Sequence, residues 1–258
     1  MQISKEQLEY GFWFWDKSKE FPPENITLPS EYHGQNRVNI ACTQLINYSS
    51  HEQKKLVNEW VEFLPTCPNL EFIWFTTHTP QRLFDSVCCL DNLLGLNIKW
   101  SSIKSLDKIS KLKKLKYLRI GSSAGIESIK PLRQLNNLEV LELENLKRIR
   151  DFSIISTLSK LKFLSIEGDM YTKQKIDSFE PIGDLRNLIY LSAVMISCKE
   201  KRIDPLLKLK NLETLNWYFE LSDTDIKRMK TDLHQLKYWP NRYRDSHKNV
   251  IKEVFGLV

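Results

Sequence analysis

The 258-residue chain is 41% hydrophobic and 11% aromatic, too apolar for a disordered polypeptide, yet it has no apolar run long enough to span a bilayer. Its 38 basic and 32 acidic residues leave a formal net charge of +6, too mild to point by itself to nucleic acid or an anionic surface. The 5 cysteines have no regular spacing and give neither a disulfide framework nor a metal-ligand pattern, so a cytoplasmic chain with buried packing thiols and no metal or other cofactor is expected.

Residues 1–34 carry no periodicity but hold Tyr10, Phe12, Trp13, Phe14, Trp15 and Phe21. Charges among them make 1–20 a poor secretory signal, and the aromatics predict an N-terminal cap over the open apolar end of the remaining chain. Pro22, Pro23 and Pro29 then interrupt the chain. A strand is expected over 37–41, where Val38 and Ile40 alternate with polar neighbours, and it is read as the sheet edge. Ser49 with Glu52, or Ser50 with Gln53, forms a capping-box pattern ahead of Leu56, Val57, Trp60, Val61 and Leu64 at helical spacing. The longest helix is predicted here, ended by Pro65.

From Leu70 onward an internal repeat takes over. Leu70, Leu93, Leu115, Leu138, Leu161, Leu188 and Leu212 form one column. Three residues upstream stand Cys67, Leu90, Leu112, Leu135, Leu158, Leu185 and Leu209, and six upstream Leu64, Val87, Ile109, Leu132, Ile155, Ile182 and Leu206. A step of three fits neither a long helix nor a strand, so each unit must change conformation within itself. The spacing shortens to two between Leu141 and Leu143, which marks a short strand. Pro131, Pro181 and Pro205 share one column, suited to the first turn of a short helix or 3₁₀ segment. The interval from Leu161 to Leu188 is the longest, with extra residues within 168–175. Farther on, Ser222 with Asp225 caps a second short helix, and Leu236 and Trp239 begin a last partial strand.

Leu115, Leu118 and Ile120, then Leu138, Leu141 and Leu143, then Leu161, Leu164 and Ile166 resemble the LxxLxL core of leucine-rich repeats. Their continuation is similar to the short-repeat subclass found in internalins and in a phosphatase-regulatory subunit. The resemblance covers roughly 64–239 and implies an α/β solenoid, with a concave parallel sheet, an irregular, 3₁₀ or short-helical convex side and terminal caps. On that plan 1–34 is the N-terminal cap, 35–240 the repeat array with seven full strands, and 241–258 the C-terminal cap, all one continuous domain. The column that holds asparagine in the family reads His78, Ser101, Ser123, Leu146, Asp169, Ile196 and Glu220, so irregular turns are expected. For function, the resemblance implies the family habit of binding proteins on the concave sheet.

No G-x-S-x-G, H-E-x-x-H or phosphate-cradling glycine loop is present, and His33, His51, His78, His234 and His247 are scattered. Strand alternation instead directs Phe72 and Trp74, Asn97, Tyr117 and Arg119, Glu142, Phe163 and Tyr190 away from the leucines, with Trp100, Glu144, Glu167 and Tyr218 just beyond. These residues are the candidate partner-binding set. Their aromatic members are expected to form an exposed row that asks for a partner. Together these features point to a non-enzymatic protein, monomeric when free and without a membrane association, that binds a protein partner. An inhibitor, such as an immunity protein that neutralises a toxin, is one example. Rival readings are a nucleic-acid binder using 104–119 with Arg148 and Arg150, and an enzyme using Glu142, Glu144 and Glu167.

Overall fold

The computed structural model describes Trp13 and residues 22–200, 202–217 and 222–237. Its strands are β1 (Asn25–Ile26), β2 (Arg37–Ile40), β3 (Phe72–Thr79), β4 (Gly95–Ser101), β5 (Tyr117–Ile120), β6 (Val140–Glu144), β7 (Phe163–Glu167), β8 (Gln174–Ile176), β9 (Tyr190–Ala193), β10 (Ile196–Cys198) and β11 (Thr214–Trp217). A nine-stranded sheet runs β1-β2-β3-β4-β5-β6-β7-β9-β11, with every neighbouring pair parallel, while β8 and β10 form a separate parallel pair. Each repeat adds one strand beside the last, as a leucine-rich-repeat solenoid requires.

The three-residue period has a backbone cause. Between β5 and β6 the amides of Leu132, Leu135 and Leu138 donate to the carbonyl oxygens of Ile129, Leu132 and Leu135 at 3.0, 2.9 and 3.1 Å. One unit later Ile155, Leu158 and Leu161 repeat this pattern onto Phe152, Ile155 and Leu158, each at 3.0 Å. Bonds of this i to i+3 kind bring residues three apart onto one side, so all these apolar side chains enter a single core. Pro131 sits in the first turn of the 3₁₀ segment Lys130–Gln134, where its missing N–H costs no bond.

The first units are more helical. Helix α1 (Ser50–Phe63) starts at the Ser49 and Glu52 alternative: the Glu52 amide donates to Ser49 Oγ, and the Ser49 amide donates to Glu52 Oε2 at 2.7 Å. Leu56, Val57 and Trp60 are its buried face, and Trp60 Nε1 donates to the Thr27 carbonyl at 2.7 Å, tying the helix to the chain just after β1. Helix α2 (Gln81–Val87) follows β3 and buries Leu83, Phe84 and Val87; no capping pattern announces it, since Pro80 holds the N-cap. Helix α3 (Glu180–Gly183) is a single turn, and α4 (Asp223–Asp232) is capped by Ser222, whose side chain accepts from the Asp225 amide.

The seven repeat strands are present as β3, β4, β5, β6, β7, β9 and β11, and the strand over 37–41 as β2. One expectation needs correction: among the described residues a ninth strand, β1, inside the stretch read as a cap, lies outside β2 and makes the sheet edge. A two-residue strand is too short to carry a period in sequence. The partial strand expected at Leu236 and Trp239 is seen only at its start, where the Lys237 amide donates to the Glu213 carbonyl at 2.8 Å. Trp239 and the cap expected over 241–258 lie outside the described residues.

The insertion in 168–175 serves one turn that lacks the family's asparagine, the one at Leu146. Buried Gln174, on β8, accepts from the Leu146 amide and donates to the Ile149 carbonyl, both at 2.8 Å, so a side-chain amide satisfies the turn that Leu146 itself cannot bond. A second ladder lies just before the strand leucines. Asn92, Asn137, Asn187 and Asn211 donate through Nδ2 to the carbonyls of Pro68, Lys113, Ser159 and Arg186 at 3.0, 2.9, 2.8 and 2.8 Å. Where lysine replaces asparagine, Lys114 and Lys160 reach back to Asn92 Oδ1 and Asn137 Oδ1 at 2.7 and 2.8 Å.

Candidate protein-binding face

The concave side is built by the strand positions that alternate with the leucines. Register places Phe72, Gly95, Tyr117, Val140, Phe163 and Tyr190 in one row, and Trp74, Asn97, Arg119, Glu142, Ser165 and Ser192 in the next. The first row is a stack of rings. Phe72 and Tyr117 stack with centroids 5.9 Å apart across Gly95, and Phe163 and Tyr190 stack at 4.0 Å. Gly95 makes the first stack possible, because a Cβ there would come within 2.4 Å of the Phe72 ring.

The direction of these side chains matches the sequence reading; their solvent exposure does not. Phe72, Trp74, Tyr117, Phe163 and Tyr190 are all buried, Trp74 and Phe163 at 1% exposure. With Trp13 and Val140 they form an apolar cluster separate from the leucine core. Neighbouring rings cover one another's flanks, but a fully buried row also needs a cover on its open face. Trp13 is part of that cover, standing edge-on to Trp74 with centroids 5.5 Å apart. Burial, reinforced by Glu139, pushes the Tyr117 phenol up to about 12, and burial with Glu167 and Glu142 nearby pushes Tyr190 up to about 12 as well.

Beyond the rings lies a polar band that stays open. Arg119 pairs with Glu142 at 3.4 Å and with Glu144 at 3.0 Å, and its side chain remains 28% exposed. Glu167 Oε1 accepts from Ser165 Oγ at 2.9 Å and also from Ser192 Oγ, which in turn accepts from Asn216 Nδ2 at 3.0 Å. Glu144 and Glu167 are partners in register, so the expected carboxylate group does assemble. Arg119 pairs with two of its members, Glu142 and Glu144, and serine hydroxyls bind the third, Glu167. A groove of about 490 Å³ on the flank runs past Glu139, Lys160, Lys162, Asn187 and Glu213 and includes none of Glu142, Glu144 and Glu167. At the far end of β4, half-buried Trp100 meets His78 edge-on at 4.8 Å, and burial lowers the His78 pKa. Asn97 is buried in the same row as Arg119. Tyr218 lies outside the described residues.

The basic segment does not form one stripe. Lys108 pairs with Asp85 at 2.9 Å and Lys116 approaches Glu139 at 3.9 Å, while Arg119 stands among carboxylates on the concave face. Arg148 and Arg150 pair with Glu127 and Asp177. Cys42, Cys67, Cys88 and Cys198 are buried as expected of packing thiols, but Cys89 is exposed. Among the described residues no His, Cys, Asp and Glu cluster could hold a metal, and no helix is long and apolar enough to cross a membrane.

The parallel sheet, the three-residue turns and the leucine columns define a leucine-rich-repeat solenoid. Among solved structures it is similar to internalin C2 of Listeria monocytogenes, at 24% identity and a TM-score of 0.53, over 69% of this chain and 72% of that one. It is also similar to an internalin F from Listeria monocytogenes, at 17% identity and a TM-score of 0.51, over 85% of this chain and 70% of that one. At these identities the likeness concerns the fold. No protein-family model and no curated protein matches the sequence.

Proposed function

We propose that the chain is a non-enzymatic module that binds a protein partner on the concave side of its sheet and acts by occupying that partner's surface. The carrying observation is the polar band of Arg119, Glu142, Glu144 and Glu167, held on parallel strands by its own ion pairs and hydroxyl bonds and still open to solvent at Arg119 and Glu144. Charged groups fixed in this way meet a complementary surface with little further ordering. Half-buried Trp100 adds an aromatic contact at the edge of the band. Inhibition fits a module of this kind, and neutralising a toxin is the particular role the reading favours.

Phe72, Trp74, Tyr117, Phe163 and Tyr190 belong to the proposed face only in a state where their cover has moved. The test is capture and cross-linking of a partner from the cells that make the protein. Arg119→Glu and Glu144→Lys are expected to weaken capture at least tenfold, and Lys113→Ala to leave it unchanged. Loss with Lys113→Ala and retention with both concave variants would put the binding side on the convex surface. Capture of nucleic acid that falls steeply with added salt would replace this reading with the nucleic-acid one.

A further inference from the structure

A row of rings facing outward from a repeat array becomes fully buried only when something lies across it. Trp13, 6% exposed and packed on Trp74, covers one end of the row. The chain approaches from the right side. Asn39 shares the concave row with Trp74, and its Nδ2 donates to the Pro23 carbonyl at 3.1 Å. Thr76 Oγ1 donates to Asn25 Oδ1 at 3.0 Å and to Asn39 Oδ1 at 3.2 Å, which fixes the start of β1 against the same face. Pro23 and Asn25, close to the start of the described stretch 22–200, therefore lie against the concave face beside Trp74.

The length and composition of residues 1–21 suit the task. In the sheet, β3 and β9 are five steps apart, about 24 Å at the usual strand spacing. Residues 1–12, extended, reach about 40 Å. Around Trp13 stand Phe12, Phe14 and Trp15, which are side chains able to pack on stacked rings.

We propose that residues 1–21 are an intramolecular ligand of the concave aromatic row, anchored by Trp13 on Trp74. A protein partner that used the rings would have to displace this segment. Only that consequence rests on the proposed function, and the experiment uses no partner, so the two can fail separately.

The experiment compares the full-length wild type with Trp13→Ala, using binding of the dye ANS, the rate of protease cleavage within 1–21, and circular dichroism as the check on folding. Trp13→Ala is expected to raise dye fluorescence several-fold and cleavage at least tenfold while the array still melts cooperatively. A synthetic peptide of residues 1–21, added to the variant, should return the dye signal to the wild-type level; the same peptide carrying Trp13→Ala should not. A folded variant with wild-type dye binding and cleavage overturns the proposal, as do two peptides that act alike. Should Trp13→Ala fail to fold, a specific protease site inserted before Pro22 allows the segment to be cut from the folded protein. Co-elution of the cut segment with the array supports the proposal, and its release on cutting overturns it.

Discussion

The leucines on one side of the sheet and the ring row on the other are both buried, and they differ in how. On one side Leu118, Leu141 and Leu164 meet the turns of their own and adjoining units, so each is covered by residues a short distance away in sequence. On the other side Tyr117, Val140 and Phe163 are equally inaccessible, but Trp13 belongs to their cluster and lies more than a hundred residues away from each of them. Alternation along a strand tells which side of a sheet a residue faces. Whether that side meets water depends on segments that carry no period.

Changes on each side can break or sharpen this contrast. The largest effect is expected at the leucines: Leu141→Ala, in a fully buried position, should lower unfolding free energy by about 2–5 kcal/mol in denaturant titration. A loss below about 0.5 kcal/mol would place Leu141 outside the core. On the opposite side Phe163→Ala should destabilise by about 1–3 kcal/mol, where an exposed binding residue would leave stability nearly unchanged. Gln174→Ala strips the Leu146 amide and the Ile149 carbonyl of their partner, and about 1–3 kcal/mol should be lost by the same measurement. A neutral result there would mean that the turn finds other partners.

The tyrosines give a pH signature confined to the concave side. Burial favours the neutral phenol, so the unfolded chain loses these protons first and folding stability falls as pH rises. The fall begins near the ordinary value of 10.0 and ends near the folded value of about 12 for Tyr117 and Tyr190. Equilibrium unfolding across that window should show a shallower fall for the Tyr117→Phe, Tyr190→Phe double variant than for wild type. Equal slopes would mean that the two phenols are not desolvated.

The contrast between the two sides also marks what was legible in the sequence. The leucine columns, the first-turn positions of Pro131 and Pro181, the Ser49 cap and the outward direction of the concave residues could all be read, because each arises from local geometry that repeats; Pro205 instead holds the N-cap just before its 3₁₀ segment. Strand β1 and helix α2 were hidden: one is too short for a period, and the other begins at a proline without a capping side chain. Gln174 supplies an amide to the turn at Leu146 from an insertion that breaks the repeat, so no column announced it. The asparagine and lysine ladder was visible in principle, since Asn92, Lys114, Asn137, Lys160, Asn187 and Asn211 occupy one column beside the leucines. At the candidate site, the grouping of Glu142, Glu144 and Glu167 followed from register, but the burial of the ring row could not, because it depends on tertiary cover.

The most direct measurement is hydroxyl-radical footprinting of the native full-length chain, read residue by residue by mass spectrometry. Tyr171, 90% exposed in the insertion, serves as the internal reference for a fully accessible phenol. The account predicts that Tyr117, Phe163 and Tyr190 are protected at least tenfold relative to Tyr171, to the same degree as the buried leucines on the other side of the sheet. Modification of these three at the rate of Tyr171 would contradict it, and would make the concave row the open aromatic surface that the sequence alone suggests.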